Sequence, residues 1–311
     1  MKKINKDRIK TWFVTGASSG VGKELCNQLI KRGYNVIAIS RRKPEFEGLN
    51  TLCLSVDITK KEQVQEAVKK GIEIFGKIDV LSNNAGISSY KTFEELPDDE
   101  IREAFETNYW GSYNTMKCLI EHFRINKNGT IINNTSKCGL SPRSYGSAYC
   151  SSKYALEGLT SVLWLEAKNF CRVMLIELGV FKGTSIGAKS KKINSEITEY
   201  INLPWFYKKC KNNNYENNLE LAINELINIV EQEKLPRRII FGKDAMFKIK
   251  TEINSIKNNL IQSKKITKKC SVLKDPTTFS EKIFSLKNEY NEGIKRKVII
   301  ILGIKIKIKI K

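Results

Sequence analysis

The sequence is poor in several groups that mark whole classes of function. It holds a single histidine, His122, and its eight cysteines (Cys26, Cys53, Cys118, Cys138, Cys150, Cys171, Cys210 and Cys270) never fall in C-x-x-C spacing. No His/Cys/Asp cluster with ligand spacing is present, so a metal is not expected. His122 falls near a helix end and reads as structural. Most of the cysteines lie inside apolar runs, where a thiol behaves as a small hydrophobe. Free thiols in a reducing compartment are therefore expected. No run of eighteen apolar residues occurs, and the basic stretch Met1 to Lys10 leads into a strand-like Trp12-Phe13-Val14 instead of an apolar signal core. These absences argue against a membrane span or a secretory leader and predict a soluble, cytoplasmic protein.

What is present suits a globular enzyme. At 311 residues and 41% hydrophobic, the chain can bury a large core, and one large domain with appendages is the simplest reading. The net charge of +21 is uneven: residues 251–311 carry 15 basic against 5 acidic residues, so about half of the excess lies in the last fifth. Lys, Asn and Ile are abundant throughout, as in the closing Ile304-Lys305-Ile306-Lys307-Ile308-Lys309-Ile310-Lys311, a bias that need not reflect a polyanionic partner. A nucleic-acid partner is not expected. An edge strand or a membrane-surface stripe are the functional readings of this tail, and a biased extension without function is the bland one.

From Lys10 to about Gly179 short apolar runs alternate with longer helical patterns, the signature of a doubly wound parallel α/β sheet of Rossmann type. Strands are predicted at 11–15, 35–40, 52–56, 80–83, 130–135 and 173–177, and helices at 20–32, 61–75, 98–123 and 147–168. Residues 180–234 lose the alternation and are read as a lid containing Pro204-Trp205-Phe206-Tyr207 and a helix at 216–231. A last strand, 238–241, precedes a helix from 243 to about 264. The division is then a dinucleotide-binding domain over 1–265 and a weakly ordered basic tail over 266–311.

In such a sheet, ligands gather at the carboxyl ends of the strands. Thr15-Gly16-Ala17-Ser18-Ser19-Gly20-Val21-Gly22 follows the first strand and opens the first helix; its glycines allow a sharp turn and close approach to a pyrophosphate favoured by the helix N-terminus. The next strand ends in Ser40-Arg41-Arg42. Serine there offers no carboxylate to ribose hydroxyls, and Arg41 and Arg42 suit a 2′-phosphate, so NADP is favoured, with NAD as the alternative. Asp57-Ile58 and Asn83-Asn84-Ala85-Gly86 stand at the ends of the third and fourth strands, where simple turn chemistry is the competing reading. Tyr149 and Lys153 lie four apart on a helix, about 40° apart around its axis. An ammonium beside a phenol favours the phenolate, and Ser136 ends the fifth strand within reach of the same substrate oxygen.

Taken together these motifs resemble the short-chain dehydrogenase/reductase family, over roughly residues 10–265: T-G-x-x-x-G-x-G, an aspartate after the third strand, N-N-A-G, a helix asparagine at Asn108, Ser136 and Y-x-x-x-K. Residues 236–245 are similar to the ending of a retinol- or hydroxysteroid-dehydrogenase-like branch. The resemblance implies an NADP-dependent oxidoreductase passing a hydride between nicotinamide and the carbonyl or hydroxyl carbon of a small, apolar substrate. It implies Tyr149 as general acid/base, Lys153 as ribose ligand that lowers the Tyr149 pKa, Ser136 as orienter of the substrate oxygen and Asn108 as keeper of a relay water. Thr15, Gly16, Ser18, Ser19, Gly20, Val21 and Gly22 would hold phosphate, Asp57, Ile58, Asn84, Ala85 and Gly86 the adenosine half, and Thr184 the carboxamide. A homo-oligomer is also implied. One departure stands out: after the sixth strand the family has Pro-Gly, whereas Leu178-Gly179-Val180 lacks the proline and the stretch to Thr184 holds one residue more than that pattern. The alternatives are a catalytically silent NADP-binding redox sensor, or a protein acting at a membrane surface through its tail.

Overall fold

The computed structural model describes residues 9–181, 195–201, 217–270, 284–291, 294–301 and 304–309. Its contacts divide the chain into two compact units, residues 1–253 and 254–311.

In the first unit, strands β1 (Thr11–Thr15), β2 (Asn35–Ser40), β3 (Thr51–Ser55), β4 (Val80–Asn83), β5 (Thr130–Asn134), β6 (Arg172–Leu178) and β7 (Arg238–Phe241) form one sheet in the order β3-β2-β1-β4-β5-β6-β7. Every neighbouring pair is parallel. The chain winds outward from β1 to β3 and then restarts on the other side of β1, so the crevice between β1 and β4 is the switch point where such sheets take ligands. Side chains alternate across the sheet as a period of two requires. Trp12, Val14, Val36 and Ala38 face one buried layer with Leu25 and Leu29, whereas Phe13, Ile37 and Ile39 face the other with Leu119 and Phe123. Both faces are covered, which is why the strands read as continuous apolar runs.

Helices α1 (Gly20–Lys31) and α2 (Lys61–Phe75) lie close to their sequence-based bounds. The single helix predicted over 98–123 is instead three pieces: α3 (Asp98–Phe105), a π-helical turn at Glu106–Trp110, and α4 (Gly111–Asn126). Helix α5 (Ser147–Glu166) carries Tyr149 and Lys153. A one-turn helix, α6 (Thr198–Ile201), precedes α7 (Leu219–Val230) and α8 (Lys243–Cys270).

Two expectations need correction. Helix α7 was expected within a lid, but Ile223, Leu226, Ile227 and Val230 are buried in the layer formed with α1. Its backbone and side chains are held there by Gln28, which donates to the Glu220 carbonyl at 2.9 Å, and by Arg32, which donates to Asn224 and Asn228. An amphipathic stripe announces burial without naming the surface that buries it. Where a weakly ordered tail was expected, the second unit has the end of α8 and a three-stranded antiparallel sheet, β8 (Phe284–Asn291), β9 (Ile294–Ile301) and β10 (Ile304–Lys309). Alternating Ile and Lys gives those residues the period of a strand. Thr184 and Pro204-Trp205-Phe206-Tyr207 lie outside the described residues.

Candidate active site

The turn between β1 and α1 is shaped by its glycines. Gly16 and Gly20 have φ of +67° and +54°, and a Cβ on Gly16 would lie 2.8 Å from the Ala85 Cα. One on Gly22 would lie 2.5 Å from the Gly16 carbonyl oxygen. Thr15 is buried, and its Oγ1 accepts from the backbone N–H groups of Asn84 and Ala85, both at 2.9 Å. The ends of β1 and β4 are thereby fixed to each other. Around them lies a cavity of about 380 Å³, within the ordinary size of a ligand site. Gly16, Ser18, Ser19, Gly20 and Val21 line it from the turn, Arg41 and Arg42 from β2, Asp57 and Ile58 from β3, and Asn84, Ala85 and Gly86 from β4. Thr15 and Gly22 act from behind this wall.

The cavity suits an anionic dinucleotide. Ser19, at the N-cap of α1, makes no side-chain capping bond, which leaves the first amides of the helix for a phosphate. Two buried acceptors or donors on the wall, Ser88 Oγ and Asn134 Oδ1, have no hydrogen-bond partner. Arg42 Nη2 donates to the Ser18 carbonyl at 3.2 Å, and exposed Arg41 lies 3.9 Å from Glu103. Asp57 Oδ1 accepts from the Thr59 N–H and hydroxyl, so turn chemistry and cavity lining are combined in one residue. Ser40, Val56, Ile87, Ser88, Thr107 and Asn134 also line the cavity and were missed in the sequence, where only adjacency to a motif marks them.

Next to this wall the structure brings Asn108, Ser136, Tyr149 and Lys153 together. All but Ser136, which is only partly covered, are buried. Asn108 sits in the π turn; its Oδ1 accepts from the Ile87 N–H at 2.8 Å and its Nδ2 donates to the Ile87 carbonyl and to Ser152 Oγ. Gly86 runs alongside: a Cβ there would lie 3.1 Å from Asn108 Oδ1 and 3.5 Å from Lys153 Nζ. Lys153 Nζ donates to the Asn134 carbonyl at 2.6 Å and lies 5.9 Å from the centre of the Tyr149 ring. Ser136 has φ +65° and ψ 158°, a region costly for any residue with a Cβ. Its hydroxyl acts on the Tyr149 phenol and favours the phenolate.

The electrostatics differ from the expectation on one point. In the protein alone the net shift of Tyr149 is upward: burial pushes the phenol up, Cys138 acts in the same direction, and the Ser136 hydroxyl and Arg143 oppose them. Burial also pulls Lys153 down to about 8. Both groups are thus driven toward their neutral forms by loss of water.

Residues 10–194 match the family described as short chain dehydrogenase, which is more than half of the chain. The chain is a short-chain dehydrogenase/reductase. Members of that family are oxidoreductases acting on CH–OH and C=O groups with NAD(P). This dehydrogenase/reductase is 31% identical over 212 residues to dehydrogenase/reductase SDR family member 7 of Mus musculus, covering 62% of the chain and 63% of that protein. It is 34% identical over 187 residues to the 3-ketodihydrosphingosine reductase of Bacteroides thetaiotaomicron, covering 60% and 68%. Among solved structures, a short-chain dehydrogenase from Streptomyces avermitilis superposes with a TM-score of 0.76 at 26% identity, over 85% of this chain and 99% of that one.

Further groups of this dehydrogenase/reductase surround the reacting cluster. Arg143 stacks 4.5 Å from the Tyr90 ring centre and 5.8 Å from that of Tyr149. Buried Lys137 pairs with Asp244 at 2.5 Å, and Asp244 also accepts from the Val180 N–H and Asn217, which fixes the start of the loop that lacks the family's proline. Thr135 donates to Glu157, which pairs with Arg238. His122 Nε2 lies 3.2 Å from the Ile78 amide nitrogen and 3.1 Å from the Ile78 carbonyl oxygen, a structural bond. No group of His, Cys, Asp and Glu that could hold a metal occurs among the described residues, and no described helix is long and apolar enough to cross a membrane.

Proposed function

We propose that this dehydrogenase/reductase reduces an apolar, lipid-like ketone with NADPH. The observation that carries the reading is the buried Tyr149 phenol, with Ser136 and Lys153 around it, beside a cavity whose lining suits a dinucleotide. When bound, the nicotinamide supplies the hydride. Backbone amides of the Gly16–Val21 turn and the N-terminus of α1 take the pyrophosphate. Arg41 and Arg42 take a 2′-phosphate, as Ser40 leaves no carboxylate to compete for ribose hydroxyls. Asp57, Ile58, Asn84, Ala85 and Gly86 border the adenosine half.

Reduction needs a proton for the substrate oxygen, and burial keeps Tyr149 protonated and ready to donate it. Ser136 donates to the same oxygen and sets its position. Lys153, anchored on the Asn134 carbonyl, offers its ammonium to the ribose and to the phenolate left after transfer. Asn108 is a positioning residue, since its amide is committed to Ile87 and Ser152. Thr184 remains the proposed carboxamide contact. The name of the Bacteroides relative, a ketone reductase acting on a sphingoid base, supports the substrate class, and the similarity to SDR family member 7 accords with the retinol- or hydroxysteroid-like branch. A cytoplasmic homo-oligomer, joined through exposed Trp110, Tyr154, Val162 and Leu165 of the π turn and α5, completes the proposal.

The test is oxidation of NADPH and NADH against long-chain, steroid and aromatic ketones, with Tyr149→Phe as control. Preference for NADPH with turnover lost in the variant supports the reading. NADPH binding without turnover on any ketone would replace it with the sensor.

A further inference from the structure

Two thiols lie inside the reacting cluster and take no part in the proton chemistry. Cys138 follows Ser136 by two residues, in the turn Lys137–Gly139, and its N–H donates to Ser136 Oγ at 3.4 Å. Cys150 follows Tyr149 directly in the first turn of α5. The intervening loop folds back so that Cys138, Tyr149 and Cys150 form a small buried cluster of their own. In it the Cys138 and Cys150 thiols act on each other electrostatically. Gly146 makes room for this arrangement, since a Cβ there would lie 2.7 Å from the Cys150 sulfur.

The two sulfurs are chemically unequal. Cys150, with Arg143 and Lys137 as nearby cations, pulls the Cys138 thiol below its ordinary value, against the opposing effect of burial. Cys138 and burial together push Cys150 up. A sulfur drawn toward its thiolate beside one held as the thiol is the pairing of an attacking and a resolving thiol.

We propose that Cys138 and Cys150 are a reversible oxidation site, at which a peroxide joins the two sulfurs in a disulfide and so stops turnover. The Cys138 thiolate attacks one peroxide oxygen; the O–O bond breaks, hydroxide leaves and takes up a proton as water, and the sulfur becomes a sulfenic acid. Cys150 gives up its proton and its sulfur attacks that of Cys138; the S–O bond breaks and a second water leaves. In sum the two thiols lose two hydrogens and the peroxide is reduced to water. A thiol reductant reverses the step by exchange. The new bond ties the residue two beyond strained Ser136 to the neighbour of Tyr149, so it displaces the pair that holds the substrate oxygen. This loss of turnover rests on the proposed roles of Ser136 and Tyr149, whereas formation of the disulfide does not.

The experiment treats the reduced full chain with hydrogen peroxide, blocks remaining thiols, and follows both the peptide map and NADPH turnover. The expected result is a cross-linked peptide joining Cys138 to Cys150, a fall in turnover of about tenfold or more, and recovery of both by dithiothreitol. Cys150→Ser is expected to lose the cross-link and the dithiothreitol-reversible part of the inhibition. Oxidation confined to other cysteines such as exposed Cys270, with Cys138 and Cys150 still alkylated, overturns the proposal. So does a cross-link that leaves turnover intact. If no ketone is turned over at all, the cross-linked peptide still reports on the thiols, and only the functional reading fails.

Discussion

The two halves of the site are built from different materials. On the cofactor side the work is done by backbone: a turn with two glycines at positive φ, an uncapped helix end, and one threonine hydroxyl fastening β1 to β4. On the proton-transfer side it is done by side chains that have lost their water: Tyr149 and Lys153 are each 3% exposed. The first half resists change because nothing larger fits, and the second is reactive because its charges are costly. Fit and cost fail in different ways, and this separates the experiments.

The sharpest break is expected on the proton-transfer side. Tyr149→Phe keeps the ring and the cavity and removes only the proton, so turnover should fall by about a thousandfold while NADPH binding, read by fluorescence, stays within a factor of a few. A comparable loss of binding would erase the distinction between the halves. Next is the cost of burying Lys153, which should appear as a pH dependence of stability. Its folded pKa of about 8 lies below the ordinary 10.5, so between those values the unfolded chain binds more protons. Stability of the cofactor-free protein should therefore rise with pH across that window, by on the order of 2–3 kcal/mol. Urea unfolding of wild type against Lys153→Met isolates this contribution, and an identical slope in the variant would remove it.

On the cofactor side, Gly22→Ala places a methyl 2.5 Å from a carbonyl oxygen that cannot swing away. Strain of about 1–3 kcal/mol is expected, appearing as weaker binding of NADPH and NADH alike, with the turnover of the saturated enzyme little changed. The mildest change is Arg41→Ala, which should weaken NADPH by about tenfold and leave NADH unaffected. Equal weakening of both cofactors would place the arginine outside phosphate recognition.

Much of the cofactor half was legible in the sequence because its signals are local. The glycines follow a strand and open a helix, and apolar runs such as Trp12–Val14 and Val36–Ile39 mark strands covered on both faces. The proton-transfer half was legible only as residue types. Nothing in Thr107-Asn108-Tyr109 announces a π turn, because its neighbours continue the helical pattern on either side. Ser136 reads as an ordinary strand end, yet it takes a backbone conformation that glycine would take more easily. The net direction of the Tyr149 shift is not legible there, since four-residue spacing to an ammonium is visible in sequence and the depth of burial is not. Cys138 and Cys150 looked like two more hydrophobes; their pairing exists only once the loop between them folds back.

The π turn at Glu106–Trp110 also acts as a phase shifter. A continuous α-helix from Asp98 to Asn126 would need one residue fewer there, and each residue is worth about 100° of rotation. With the extra residue, α3 keeps Ala104 against the core while α4 keeps Leu119 and Phe123 against the sheet. Deleting any one residue of the five would smooth the helix and turn α3 by more than a quarter circle, carrying Ala104 toward solvent. The irregularity that holds Asn108 is also what lets two helices with different angular registers follow each other without a break.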